Sequence, residues 1–316
     1  MTQFAFVFPG QGSQSRGMMD GYTEFAAVRD TFNEASAVLG QDLWQLANAG
    51  TEADLNSTVN TQPLMLTAGV AVYRAWLGQN GPKPAMMAGH SLGEYTALVA
   101  AGALDFADAL PLVRYRARCM QEAVPEGKGG IAAILGLDDE VVREVCGEGA
   151  QDEVLEAVNY NSPGQVVIAG DRTAVERGMA IAKARGAKRA LMLPMSVPSH
   201  CSLLRGAAEK LRAYLENVTV QDAAIPVVHN ADVQAYQNAD AIKDALVRQL
   251  FSPVRWVETI RFFGSAGMTH NVECAPGKVL AGLNKRIDTN QQALALNDAA
   301  ALKAALATLA QGEEQA

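Results

Sequence analysis

Apolar residues in this chain fall into short continuous runs that alternate with longer stretches of helical spacing. Phe4–Phe8 is such a run; it predicts a buried strand closed by the glycine-rich loop Pro9-Gly10-Gln11-Gly12-Ser13. Apolar positions nearly all round from about Gln62 to Gly78 predict an interior helix, with Thr61 as its cap and Gly81-Pro82 as its stop. Ala85–Ala88 reads as a second buried strand. It halts at Gly89-His90-Ser91-Leu92-Gly93, after which Tyr95, Ala97, Leu98 and Ala101 recur at helical spacing to about Gly102. Asp105 predicts the cap of a further helix that carries Arg114, Arg116 and Arg118, with Asp108 near the capping-box position. Pro111 lies past its first turn and predicts a bend.

From Gly129 the rhythm changes. Gly130–Leu137 predicts a strand, Asp138–Gly147 a helix, Val154–Tyr160 a strand, Gln165–Ala169 a strand after the Pro163-Gly164 turn, Asp171–Arg185 a helix and Lys188–Leu193 a strand. That order is βαββαβ, a ferredoxin-like unit of roughly 65–70 residues. Beyond it, helix and strand alternate again: Cys201–Glu216 helix, Ile225–Val228 strand, Ala239–Leu250 and Pro253–Ser265 helices, Thr269–Cys274 strand, Gly277–Arg286 helix. Alternation of this kind implies a parallel sheet flanked by helices. The expectation is an α/β protein whose large parallel-sheet domain, 1–127 and 197–316, is interrupted by a small domain over 128–196. The Gln311–Ala316 tail is expected to fray.

Composition narrows the class. Among 316 residues, 49% are hydrophobic and 19% charged, enough for a large core in a globular protein. No apolar stretch approaches a membrane span, and no basic leader precedes an apolar segment. Cys119, Cys146, Cys201 and Cys274 are scattered without a Cys-x-x-Cys pair, which points to a reducing cytoplasm. A net charge of −8 argues against nucleic acid as the main partner.

Gly-x-Ser-x-Gly between a strand and a helix is the pattern of a nucleophile elbow, in which a sharp turn lifts the serine to the positive end of the helix. Five residues alone also fit a tight turn with a surface serine; the flanking strand and helix favour the elbow. Such a serine needs a base. Of His90, His200, His229 and His270, none has metal-ligand spacing to another. His90 adjoins Ser91 and reads as a support of the turn. His200 lies in an irregular loop where the chain re-enters the large domain; His229 follows a strand and is a rival base; His270 opens a strand. Asp105, Asp138 and Asp171 read as helix caps, Asp108 and Asp139 lie in first turns, and Asp152 in a polar loop. A neutral acceptor, not an acid, is therefore expected to orient the histidine. Leu92 N–H, just after the serine, supplies one oxyanion donor, and the Pro9–Gly12 loop is the best source of the other. That loop also reads as a plain turn or phosphate loop, although no Lys-Ser/Thr follows. The three arginines at two-residue spacing cannot all share one side of their helix. Solvation is the ordinary state of each, but a buried Arg116 would be a bidentate anchor for a carboxylate.

Together these segments resemble the malonyl-CoA:acyl-carrier-protein transacylases of type II fatty-acid synthesis and the related acyltransferase domains of polyketide synthases. The resemblance runs through Phe8-Pro-Gly-Gln-Gly-Ser13, Thr61-Gln-Pro63, Gly89-His-Ser-Leu-Gly-Glu94 and Asn159-Tyr-Asn-Ser-Pro-Gly-Gln165. It continues through Val197-Pro-Ser-His200, Arg248-Gln-Leu250, Ser252-Pro-Val254 and Gly277-Lys278. It implies an α/β-hydrolase-like large domain with a ferredoxin-like insert. It further implies Ser91 as nucleophile, His200 as base and the Gln249 carbonyl as the group orienting that base. The amides of Gln11 and Leu92 become the oxyanion hole and Arg116 the binder of the malonyl carboxylate, with Gln62, His90 and Asn161 as supporting groups. The implied partners are malonyl-CoA and holo acyl carrier protein, with no metal, cofactor, nucleic acid or membrane. Carrier docking would use a local basic patch, either Lys278, Lys285 and Arg286 or Lys183, Arg185, Lys188 and Arg189. A serine thioesterase, a carrier-binding scaffold and the malonyl-transfer subunit of a malonate-decarboxylating complex remain alternatives.

Overall fold

The computed structural model describes residues 3–194 and 197–310. Its strands are β1 (Phe4–Phe8), β2 (Met86–Gly89), β3 (Gly129–Leu135), β4 (Leu155–Ser162), β5 (Gln165–Asp171), β6 (Arg189–Met192), β7 (Val227–Val228), β8 (Ala235–Tyr236), β9 (His270–Glu273) and β10 (Gln292–Ala295). They form two sheets. One has the order β10-β9-β1-β2-β7-β8 and is parallel except for the β7–β8 pair. The other has the order β4-β5-β3-β6 and is antiparallel throughout.

β1 shows why the large sheet is covered on both faces. Side chains alternate along a strand, so Phe4, Phe6 and Phe8 pack on one face with Tyr73 and Trp76 of the helix Thr58–Gly78. Ala5 and Val7 turn to the other face, against Trp256, Ile260 and Leu283. Burial of each Phe ring stabilises by roughly 1.5–3 kcal/mol. The chain runs from β1 to β2 on one side, and later lays β9 on the other, which makes the carboxyl end of β1 a topological switch point. Clefts for ligands form at such points.

The second sheet carries the helices Asp139–Ala150 and Arg172–Ala184 on one face, around Ile134, Val142, Leu155 and Ile168. Its other face presents Ile131, Val158 and Val167 towards Cys201, at the return of the chain to the large sheet. β4 is stitched to the large part by Tyr160 N–H to Val254 O (3.0 Å) and Val254 N–H to Val158 O (2.8 Å).

Several sequence expectations are corrected. The interior helix begins at Thr58, not Gln62, and Thr61 lies within it, its hydroxyl donating to the Ser57 carbonyl at 2.9 Å as well as to Leu55 O. Asp138 and Asp171 occupy N-cap positions without capping; Asp171 accepts the Val154 N–H at 2.8 Å instead. Asp105 does cap, through Ala107 N–H and Asp108 N–H, and its helix Phe106–Ala123 continues through Pro111. The helix expected over Pro253–Ser265 begins at Trp256, because Val254 is extended and paired with β4. The helix expected from Cys201 opens with a 3-10 turn at Ser202–Leu204 before Arg205–Leu215. The structure adds the helices Ala26–Leu39, Leu43–Ala49, Glu52–Asn56 and Ala299–Ala310 and the strands β8 and β10. The Gln311–Ala316 tail lies outside the described residues.

Candidate active site

The turn after β2 is built by close approach. A Cβ on Gly89 would sit 1.8 Å from the Gly93 carbonyl carbon, and one on Gly93 would sit 1.9 Å from Phe8 O. Only hydrogen fits at either end of Gly-His-Ser-Leu-Gly. Between them Ser91 is held at φ +52°, a left-handed value that costs a non-glycine residue about 1–3 kcal/mol. The helix Gly93–Ala100 starts at once, so its positive dipole end lies beside the serine.

Ser91 Oγ is 2.8 Å from His200 Nε2, although 109 residues separate them. His200 Nδ1 is 2.8 Å from the Gln249 carbonyl oxygen, and His200 N–H donates to Leu250 O at 3.0 Å. The end of the helix Ala239–Gln249 thus grips both the ring and the backbone of His200, itself at φ +66°. Burial, and then the Arg116 charge, push the imidazole down to about 3, so it is neutral near pH 7 and free to accept a proton from Oγ.

Arg116 is 1% exposed. Its Nη1 donates to Gln62 Oε1 at 2.8 Å; its Nη2 donates to Gln249 Oε1 at 3.0 Å and reaches Ser91 Oγ at 3.3 Å. The Tyr95 ring lies 5.3 Å from the guanidinium carbon. Burial pulls its pKa down, but an arginine starts high enough to remain cationic. A signal in the sequence could have singled it out. Phe106, Ala109, Val113 and Met120 form the buried stripe of the helix, and 116 falls on that stripe while 114 and 118 do not. Arg114 is half-buried and donates to Leu39 O at 3.2 Å and to Gln41; Arg118 is exposed.

Gln11 and Leu92 line a chamber of about 50 Å³ together with Ser91, His200, Arg116 and Gln62. It adjoins a larger cleft of about 470 Å³ bounded by Gly10, Gln14, Asn161, Gln165, Val279 and Leu283. His90 Nε2 bonds Asn161 Oδ1 at 2.8 Å, tying the elbow to the antiparallel sheet. The rival base His229 is buried elsewhere, with Nδ1 2.7 Å from Glu94 Oε1, and His270 bonds Thr269 and Gln292 at the start of β9. Among the described residues no cluster of three or more His, Cys, Asp or Glu side chains could hold a metal ion. Three contacts were not anticipated: the Gln249 side chain, whose Nε2 donates to Ser91 O at 2.9 Å, the Asn230 carboxamide on Ser91 N–H at 2.7 Å, and Glu94 behind it. Nothing local in the sequence marks Asn230, because only the β2–β7 pairing brings it to the turn.

An elbow serine, a histidine and a buried guanidinium meet in one chamber, on a parallel sheet with an antiparallel insert, an arrangement with the parts an acyl transferase uses. The acyl transferase domain family matches residues 5–305, and the chain belongs to that family. It is 56% identical to the malonyl CoA-acyl carrier protein transacylase of Escherichia coli (strain K12) over 97% of this chain and 99% of that protein. The crystal structure of the acyl-carrier-protein S-malonyltransferase of Burkholderia pseudomallei 1710b superposes with a TM-score of 0.95 at 57% identity, covering 97% of this chain and 100% of that one. A malonyl-transacylase solved in complex with a type II polyketide-synthase acyl-carrier protein matches with a TM-score of 0.96 at 52% identity, over 97% and 100% of the two chains.

Proposed function

We propose that this chain transfers the malonyl group of malonyl-CoA to the phosphopantetheine thiol of an acyl carrier protein, through a malonyl ester on Ser91. The observation that carries the reading is the buried Arg116 guanidinium, 3.3 Å from Ser91 Oγ. A fixed cation at that range selects an acyl group that ends in a carboxylate. His200 takes the Oγ proton as Ser91 attacks the thioester carbonyl, and the oxyanion is received by the Gln11 and Leu92 N–H groups. The tetrahedral intermediate expels the CoA thiolate, which leaves with the proton from His200. The carrier thiol then attacks the malonyl-Ser91 carbonyl, His200 takes its proton, and collapse returns the serine hydroxyl: a ping-pong cycle. The reading divides the chain into a large domain of 1–127 and 197–316 and an insert of 128–196. Four buried, unpaired cysteines support a place in the cytoplasm.

Arg116→Ala should lower kcat/KM for malonyl-CoA about 100-fold or more while acetyl transfer is kept or improved. Equal loss for both acyl groups, measured with holo carrier protein as acceptor, would remove the anchor role.

For carrier docking, the patch of Lys278, Lys285 and Arg286 is favoured. All three are exposed, and Val279 beside Lys278 lines the cleft mouth. In the other patch Arg185 is already paired with Glu144 and Glu148. Reversing the charges of Lys285 and Arg286 should raise KM for the carrier protein roughly tenfold and leave KM for malonyl-CoA unchanged; a rise in both would place the docking face elsewhere.

A further inference from the structure

We propose that Asn230 and Glu94 are positioning residues for Ser91, holding its peptide from the rear of the elbow in the conformation from which the hydroxyl reacts. The proposal rests on the reading of Ser91 as the nucleophile.

β7 pairs with β2 only at Met87↔Val227 and Ala88↔Val228. Beyond Gly89 the chain leaves the strand direction, and a neighbouring backbone cannot follow it. The Asn230 carboxamide takes over. Its Oδ1 accepts the Ser91 N–H at 2.7 Å, and its Nδ2 donates to Gly89 O at 2.6 Å. One side-chain amide thereby serves a carbonyl and an N–H on either side of His90, as a peptide unit of an adjoining strand would.

Asn230 is itself held. Glu94 Oε2 accepts the Asn230 N–H at 2.9 Å, and Glu94 Oε1 lies 2.7 Å from His229 Nδ1. Glu94 and His229 are 0% exposed and Asn230 1%, so no water competes for these bonds. The circuit closes through the helix, since Glu94 N–H donates to Ser91 O at 3.1 Å. The Ser91 N–H is therefore tied to the Asn230 side chain, and the Ser91 carbonyl to the backbone of the residue, Glu94, that holds Asn230. A residue kept at φ +52° needs such over-determination, or it relaxes. The hydrogen bonds of Asn230 and Glu94 go to the elbow, to each other, to His229 and to the Arg255 N–H, and among the described residues none goes to Arg116 or His200. The effect of Asn230 on chemistry is separable from substrate binding for that reason, whereas the Glu94 charge also acts on Arg116. Gln249, which touches both Ser91 O and Arg116, offers no such separation.

The test follows formation of the malonyl adduct by rapid-quench intact-mass spectrometry in wild type, Ser91→Ala, Asn230→Ala, Asn230→Asp and Glu94→Gln. Malonyl-CoA binding is measured by calorimetry in Ser91→Ala and in Ser91→Ala/Asn230→Ala. Asn230→Ala should slow acylation on the order of 10- to 100-fold, while affinity for malonyl-CoA changes less than about threefold. Glu94→Gln, one step further from the serine, should slow it less. Acylation within about threefold of wild type in Asn230→Ala overturns the proposal, and so does a loss of rate matched by an equal loss of affinity. Should Asn230→Ala fail to fold, the isosteric Asn230→Asp decides by the same rate, because it lacks the donor to Gly89 O. An adduct persisting in Ser91→Ala would sink the nucleophile reading and the proposal with it. A silent Ser91→Ala beside a normal Asn230→Ala sinks the positioning role alone.

Discussion

The front and the rear of the elbow each hold a buried histidine, and the two are oriented differently. In front, His200 faces Ser91 and is oriented by a backbone carbonyl, that of Gln249. At the rear, His229 faces the Glu94 carboxyl group and has no contact with the serine hydroxyl. The acid that a triad would use sits behind Ser91, bound up in the turn. The reason lies with Arg116. Its hydrogen-bond partners, Gln62, Gln249 and Ser91, are all neutral oxygens. A carboxylate placed in front to orient His200 would compete for that guanidinium and cancel the charge that, on the proposed function, meets the acyl carboxylate. A neutral orienter leaves the cation free, and the cation in turn helps to keep His200 unprotonated.

The largest effect that could break this comparison is on proton transfer. His200→Gln should slow malonyl-adduct formation about 1,000-fold, within the range expected for loss of a general base. His229→Gln should cost no more than about tenfold, through the turn alone. Equal losses, read by single-turnover mass spectrometry, would mean that front and rear do not differ in role.

A sharper probe puts an acid in front. Gln249→Glu sets a carboxylate where an amide oxygen now lies 3.0 Å from Arg116 Nη2. The preference for malonyl over acetyl transfer should fall roughly tenfold, because the guanidinium is already paired. The smaller consequence is in the pH profile. A base works only when unprotonated, so its pKa marks the acid limb of kcat/KM. With His200 at about 3, wild-type activity should not decline through the ordinary histidine value of 6.5. The new carboxylate favours the imidazolium, so the limb in Gln249→Glu should move to higher pH. A wild-type limb near 6.5, or an unmoved limb in the variant, contradicts the electrostatic account.

Much of this arrangement is legible locally. The Phe4–Phe8 and Met86–Gly89 strands, the glycines around Ser91 and the βαββαβ order of the insert follow from short-range rules, because alternation, glycine clearance and turn chemistry act between near neighbours. Element starts were less legible. Thr61 looks like a cap, yet its hydroxyl bonds Ser57 O and Leu55 O inside a helix already under way. Val254 was expected in a helix and is extended, because β4 offers it a partner more than 90 residues back in the chain (Val158). The helix period alone is enough to place Arg116 on the buried stripe, but it does not say what the stripe faces.

By itself, the order of residues determined an α/β chain with a glycine-bounded serine after a buried strand, and the absence of a convincing acid between positions 91 and 200. Those are statements about neighbours, decided by sterics and by the periods of helix and strand. Only the tertiary structure decided that His200, not His229, meets the serine, that Gln249 joins His200 to Arg116, and that Asn230 continues a ladder the backbone had abandoned. Each of those contacts spans between 49 and 158 residues. Such pairings depend on which strands lie side by side and on how much apolar surface their packing removes from water, quantities that no local pattern contains.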